Sequence, residues 1–513
     1  MAVHVLQVRL IASDGDKCVI EKRFRLMWHI HNETAKYAIR QLHKLQRDRA
    51  YIDAKRAYVP LKKQLDKMLS AKNPDMKKIS SLKKEIGTYT KILNDRINFF
   101  CLTANDLEKY AKVMQHAFKN HLSSNQVQKE ADRVYKGVEK VLYEGAECIH
   151  LKKFVDQTTI SQKEATNGIK VNLETGSVTW LGLEMRIDLD KTDPYVAESI
   201  NHELKYAEIA RREFRNGWHY YLNLYLDGPT PKKLQAQTGI VGIDPGVSTM
   251  AAVSEKAVSI KELAPDCKKY NREIAKQQRL IDKQTRQTNP QNYNPDGTIR
   301  KGKKTWTFSK GCRKRKREVR VLYRQKSENT KCSHNQQINE LIVNYGTEFV
   351  AEKMDYKALA KRSKKKAERQ DKESVVKKKD GSVKTVRKCK RKKRFGKSVN
   401  DRSPSAFLTR LEQKAKQYGG TVVYTNTWEY KGSQYRHDTD TYEKVSLSDR
   451  WKIIDSCKVQ RDLYSAFLQF CADSSGTHAD RNKCLQYFPQ FVRLHDNYIN
   501  ETKNMPHPAC FGY

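Results

Sequence analysis

The hydrophobic period of this chain changes twice before residue 235, and this constrains the fold more than any other feature. Val3, Val5, Leu6, Val8 and Leu10 approximate the alternation of a strand, and a turn is expected at Ser13–Asp16. From Asn32 to about 145 the apolar residues recur at helical spacing, as in Ala38, Ile39, Leu42 and Leu45 or Leu61, Leu65, Met68 and Leu69. Asn32 is the expected first cap, while Asn105 with Glu108 and Ser123 with Gln126 have capping-box spacing. From about 150 the period returns to two: Ile169, Val171 and Leu173, a turn at Glu174–Gly176, then Val178, Trp180, Leu183, Met185 and Ile187. A hairpin at Asn216–Gly217 leads into Trp218, Tyr220, Leu222 and Leu224. One arrangement satisfies all three stretches: a β-domain of residues 1–25 and 148–235, with a helical block, 26–147, inserted into it.

Pro229 to Ala236 reads as a linker, and an α/β pattern follows over 236–426 and 452–475. Ser403-Pro404 is an expected helix start, with Ser as N-cap and Pro at the first helical position, and that helix stops at Gly419-Gly420. Between these elements lies a basic loop, 357–402; its first part, 357–397, holds 20 Lys/Arg against four Asp/Glu. Such a charge density opposes compaction unless a polyanion neutralises it, so Lys364, Lys365, Lys366, Arg391, Lys392, Lys393 and Arg394 are candidate nucleic-acid contacts.

The whole chain carries 100 Lys+Arg against 59 Asp+Glu, a formal net charge of +41 over 513 residues, which implies a polyanionic partner. A membrane is not that partner: no apolar run approaches the roughly 20 residues a spanning helix needs, and the N-terminus does not read as a signal peptide. The 11 cysteines are odd in number and scattered without a C-x-x-C pair, so reduced thiols are expected, in a cytoplasmic, nucleoid-associated setting or in a nucleus if the host has one.

Three acids end or open apolar segments: Asp244 in GIVGIDPGVSTMAAV, Glu352 in TEFVAEKMD and Asp462 in KVQRDLYSAFLQF. Alone, each has an ordinary reading as a turn, strand end or helix N-terminus, and Asp355 competes with Glu352. Together, a hairpin with Asp, a strand ending in Glu and a helix opening with Asp describe an RNase H-like fold. Such a site holds two Mg²⁺ (or Mn²⁺) ions about 3.5–4 Å apart on hard carboxylate oxygens. Without a cation, clustered carboxylates raise one another's pKa.

These three segments resemble the RuvC motifs of the TnpB nucleases of insertion-sequence transposons, and type V CRISPR effectors are similar. The resemblance is motif-specific over 236–470 and architectural over 1–235. It implies an α+β multidomain protein: a β-barrel wedge domain with an inserted helical recognition domain, followed by a RuvC nuclease domain. It further implies an RNA-guided DNA endonuclease with Asp244, Glu352 and Asp462 as metal ligands, and with guide RNA and double-stranded target DNA as partners. An RNA-guided repressor without cleavage and a strand-transfer enzyme are the alternatives, and the oligomeric state is open. The family's zinc ribbon is replaced here by an insert, 427–451, in an interval offering one His, His437, and one Cys, Cys457. No zinc is therefore expected. Trp428, Tyr430, Tyr435, Tyr442 and Trp451 are expected mostly as core, and scattered structural residues are expected in the C-terminal extension, 476–513.

Overall fold

The structure is a computed structural model that describes the chain except residues 1–2, 71–74, 166, 361–368, 378–381, 390–394, 445, 447–448, 506, 508–510 and 512–513. The chain forms two compact units, Met1–Pro231 and Lys232–Tyr513.

The first unit begins with β1 (Val3–Ile11), whose even-numbered residues His4 to Leu10 are buried and whose odd-numbered ones are exposed. Five helices follow: α1 (Asp14–Leu45), α2 (Arg49–Leu69), α3 (Met76–Phe99), α4 (Ala104–Ala117) and α5 (Ser124–Tyr143). Then come β2 (Thr159–Ser161), β3 (Ile169–Asn172), β4 (Ser177–Trp180), β5 (Leu183–Asp188), α6 (Pro194–Ile200), β6 (Glu203–Phe214) and β7 (Gly217–Asp227). The seven strands form one antiparallel sheet in the order β2-β6-β7-β1-β5-β4-β3, curled into a half-barrel with β3 packed against β6. Ile20, Phe24 and Met27 of α1 fill its concave face together with Leu6, Val8, Trp180, Ile187, Leu222 and Leu224.

The structure corrects three expectations. Helix α1 starts at Asp14, because Ser13 and Asp16 form a reciprocal capping box rather than a strand-ending turn. The helical block therefore begins well before residue 26, and Asn32, expected as a cap, lies inside α1, where its side-chain amide pairs with the Lys152 backbone at 2.9 and 3.0 Å. Likewise Thr103 with Asp106, not Asn105 with Glu108, caps α4. The sequence patterns also missed a buried ion network. Glu130 on α5 meets His31, Lys152 and Arg133 at 2.8–2.9 Å, and Arg133 continues to Glu208 on β6. These partners hold the fully buried Glu130 carboxyl far below the usual range despite the cost of burial.

The second unit is built on a sheet of five strands: β8 (Ile240–Pro245), β9 (Thr249–Ser254), β10 (Val258–Glu262), β11 (Glu348–Glu352) and, later in the chain, β14 (Thr421–Thr425). The order is β10-β9-β8-β11-β14; the first three strands form an antiparallel meander, and β11 runs parallel to both β8 and β14. Helices α7 (Cys267–Thr288) and α8 (Lys310–Asn344) separate β10 from β11. Between β11 and β14 come α9 (Tyr356–Ala360), the hairpin strands β12 (Arg369–Lys377) and β13 (Val383–Cys389), α10 (Gly396–Arg402) and α11 (Pro404–Gln417). The basic segment thus contains an antiparallel hairpin. Pro404 does sit in the first turn of α11, but Ser403 adopts the left-handed conformation (φ 49°) and makes no side-chain cap. After β14 come α12 (Thr427–Tyr430), the two-residue pair β15 (Tyr435–Arg436) and β16 (Thr441–Tyr442), the hairpin β17 (Trp451–Ile454) and β18 (Cys457–Gln460), α13 (Arg461–Phe470) and α14 (Arg481–Thr502).

Strand alternation assigns the two faces of this sheet. Val241, Ile243, Phe349 and Ala351 pack with Ile338 and Leu341 of α8 and Phe407 and Leu411 of α11. Ala251, Val253 and Val350 face the other way, toward Leu463, Ala466 and Phe467 of α13 and Phe488 and Phe491 of α14. The C-terminal extension is therefore part of this core, with Cys471 and Cys484 fully buried in it. Tyr430 and Tyr435 are also in the core, as expected, but Trp428 and Tyr442 are exposed.

His334 on α8 sets a pH dependence for this unit. It is fully buried; Nε2 donates to the Arg402 carbonyl at 2.9 Å, which leaves Nδ1 to accept from Arg410 at 3.0 Å. Burial and the Arg410 guanidinium push its pKa down to about 4. The unfolded chain therefore takes up a proton here, at about pH 6.5, before the fold does, so this contribution to stability is present above pH 6.5 and is lost as pH falls toward 4. His334→Gln, which keeps one donor and one acceptor, is expected to flatten the loss between pH 6.5 and 4 by about 3 kcal/mol in chemical denaturation.

Candidate active site

Asp244 and Glu352 are placed by backbone register. Ile243 pairs with Ala351 across the parallel β8–β11 ladder, so the next residues, Asp244 and Glu352, stand side by side at the C-terminal ends of two adjacent strands. Parallel strands lie about 4.8 Å apart. Both acids sit two residues beyond positions on the α13 face, Gly242 and Val350, and so share that face.

Asp462 is delivered to the same place by α13, which lies directly on β8. Gly242 makes the approach possible: a Cβ there would stand 2.1 Å from the Ala466 carbonyl oxygen and 2.2 Å from the Phe470 amide nitrogen. Asp462 is one helical turn before Ala466, just as Asp244 is one pleat beyond Gly242. The N-terminus of α13 is fixed by buried Gln460, whose Oε1 accepts from the Asp462 and Leu463 amides at 2.6 and 2.9 Å. The Gln460 backbone N–H in turn donates to His495 Nε2 on α14 at 2.9 Å.

The three carboxylates share one electrostatic environment. Burial, then repulsion from Asp462 and Glu352, raises the Asp244 carboxyl well above its ordinary range, with Arg461 opposing. Burial also raises Glu352, partly offset by a hydrogen bond from Thr427. Tyr356, whose hydroxyl donates to the Pro245 carbonyl at 3.0 Å, is pushed up by burial and by Asp244 and Glu352. Asp462 is balanced by Arg461 at 3.1 Å and Arg450 at 4.0 Å. Asp355, the competitor to Glu352, is exposed and accepts from the Ala358 amide at 2.9 Å within α9.

The donor set consists of hard carboxylate oxygens, which suits Mg²⁺ or Mn²⁺. Among the described residues, no three His, Cys, Asp or Glu side chains are drawn tightly enough together to ligate one ion. In the insert, His437 is buried against Phe467 and Phe488, and its Nδ1 meets the Tyr464 hydroxyl at 2.8 Å.

The candidate contacts Lys364, Lys365, Lys366, Arg391, Lys392, Lys393 and Arg394 lie outside the described residues. A second basic stretch, 267–344, spans α7 and α8 and carries 21 Lys/Arg against six Asp/Glu. Its signal was the run KGCRKRKREVR at the start of α8. No helix among the described residues is long and apolar enough to cross a membrane.

No protein-family model matches the chain, and no curated protein matches it. Among solved structures, the chain is similar to a Cas12f1 determined with sgRNA and target DNA, at 12% identity and a TM-score of 0.46, covering 91% of this chain and 98% of that one. A CRISPR-Cas12f ternary complex matches at 12% identity and a TM-score of 0.25, covering 90% and 98%. A Cas12i1 R-loop complex after target DNA cleavage matches at 9% identity and a TM-score of 0.25, covering 95% and 66%.

Proposed function

We propose that this protein is an RNA-guided DNA endonuclease whose second unit, an RNase H-like RuvC domain, hydrolyses phosphodiesters at Asp244, Glu352 and Asp462. The observation that carries this reading is the convergence of the three acids on one sheet face, two by parallel register and the third by a helix seated on Gly242. A carboxylate repelled by two others, as Asp244 is, is costly, and cation binding is the function that offsets this. Two Mg²⁺ or Mn²⁺ ions bound there would activate water and stabilise the leaving oxygen. The chain's own groups do the rest. Gln460 orients the first turn of α13, Tyr356 and Pro245 close one side of the carboxylates, and Arg461 and Arg450 supply positive charge beside Asp462 for a phosphate.

The guided part of the reading rests on the net charge of +41, the basic α7–α8 hairpin and loop 357–402, and a first unit in which a curled sheet is interrupted by five helices. On this reading the first unit is the wedge and recognition portion, which reads a short duplex motif, while base pairing with the guide reads the rest. Guide RNA and double-stranded DNA are the partners, in the cytoplasm of a prokaryotic host. Purifying the protein from a host that expresses its neighbouring locus and sequencing the bound RNA is expected to return one discrete noncoding species. Recovery of only heterogeneous cellular RNA would end the guided reading.

A further inference from the structure

Five of the six tryptophans are buried or half-buried; Trp428 is 86% exposed. It stands on α12, immediately after β14 and at the same strand end as the carboxylates. We propose that Trp428 is a stacking platform for a base of the single strand held at the carboxylate cluster. The proposal rests on the nuclease reading above for its substrate, DNA, and adds the residue that orients it.

The support for this residue is rigid and adjoins the site. Thr427 donates to the Lys353 carbonyl at 2.8 Å and lowers the Glu352 carboxyl's pKa, so the residue before Trp428 adjoins the cluster. Asn426 caps the helix by accepting from the Trp428 amide at 3.1 Å. Two residues on, Tyr430 is buried and its hydroxyl donates to the Leu468 carbonyl of α13. The indole is thus presented to solvent by a turn anchored on both sides to the elements that carry Glu352 and Asp462. An exposed Trp in such a turn costs hydrophobic free energy that a bound apolar face would recover.

Exposed Lys353, whose carbonyl accepts from Thr427, and exposed Lys431, which follows α12, are the cations beside this turn, and Glu429 and Asp355 are the exposed acids there. Aromatic platforms interleaved with lysines are the general means of holding a single strand without reading its sequence. A duplex, with its bases stacked internally, offers no such face, so Trp428 would favour an unpaired strand entering the site.

The test uses the full chain carrying Asp244→Ala, which holds DNA uncut, and a single-stranded oligonucleotide containing 5-iododeoxyuridine. Irradiation followed by peptide mapping is expected to place the main adduct on the peptide containing Trp428. In parallel, affinity for the same strand at elevated salt, where phosphate contacts weaken, is expected to fall about tenfold in Trp428→Ala and to be largely kept in Trp428→Phe. Adducts only elsewhere, or equal affinity for the Ala and Phe variants, would overturn the proposal. Neither readout needs cleavage, so a protein that stacks DNA on Trp428 but cuts nothing would refute the nuclease reading alone.

Discussion

Asp244→Asn is expected to raise the melting temperature of the metal-free protein while lowering Mg²⁺-dependent DNA cleavage by at least about 100-fold. Both effects follow from one cause. The Asp244 carboxyl is half-buried and repelled by Asp462 and Glu352, so its pKa is raised on folding. A carboxyl raised in this way takes up a proton as the chain folds, and between its ordinary pKa of about 4 and the raised value the fold loses stability as pH climbs. Asparagine removes that loss, so the variant's advantage in EDTA should widen from pH 5 to pH 8. Added Mg²⁺ should stabilise the wild type, because a ligand of the folded state shifts the equilibrium by mass action, and should leave the variant's melting temperature nearly unchanged. A variant less stable than the wild type at pH 8 in EDTA would show that the three acids do not repel one another.

Gly242→Ala is expected to cost about 3 kcal/mol or more, a large effect for one methyl group. The methyl would meet two backbone atoms of α13 inside 2.3 Å, the Ala466 oxygen and the Phe470 nitrogen. Backbone cannot rotate away as a side chain can, so the whole helix must lift from β8. The lift also withdraws Asp462 from Asp244, and the variant should lose cleavage even at temperatures where it stays folded. Urea titration with an unchanged midpoint would show that α13 does not depend on this approach.

The contrast between Gly242 and Asp244 shows what was legible in the sequence. Asp244 ends an apolar run before Pro-Gly, a local pattern that marks a strand meeting a turn. Its convergence with Glu352 depends on a parallel register between segments more than 100 residues apart, for which no local residue carries a signal. The glycine within GIVGID did carry one, since a glycine inside a strand marks a close backbone approach, but it does not name the helix that approaches. The strand periods of the first unit were readable because each strand buries one face of the curled sheet, as β1 does residue by residue. The start of α1 was not, because Ser13-x-x-Asp16 serves equally as a turn and as a capping box; the helical spacing of Ile20, Phe24 and Met27 decides the matter only once the concave face they fill is known. Composition hid the β12–β13 hairpin inside the basic loop, where lysines outnumber the few valines that pair there. It hid Trp428 as well, because an aromatic residue is read as core unless the turn that presents it is seen.

Asp244, Glu352 and Asp462 are proposed to act together on DNA. The most direct measurement is cleavage of a matched target duplex in Mg²⁺ by the protein purified with its bound RNA, compared with Asp244→Ala, Glu352→Ala and Asp462→Ala variants of equal RNA content. Cutting by the wild type, none in EDTA, and loss in all three variants with DNA binding retained are expected. Undiminished cutting by any one of the three variants would show that its acid takes no part in the reaction.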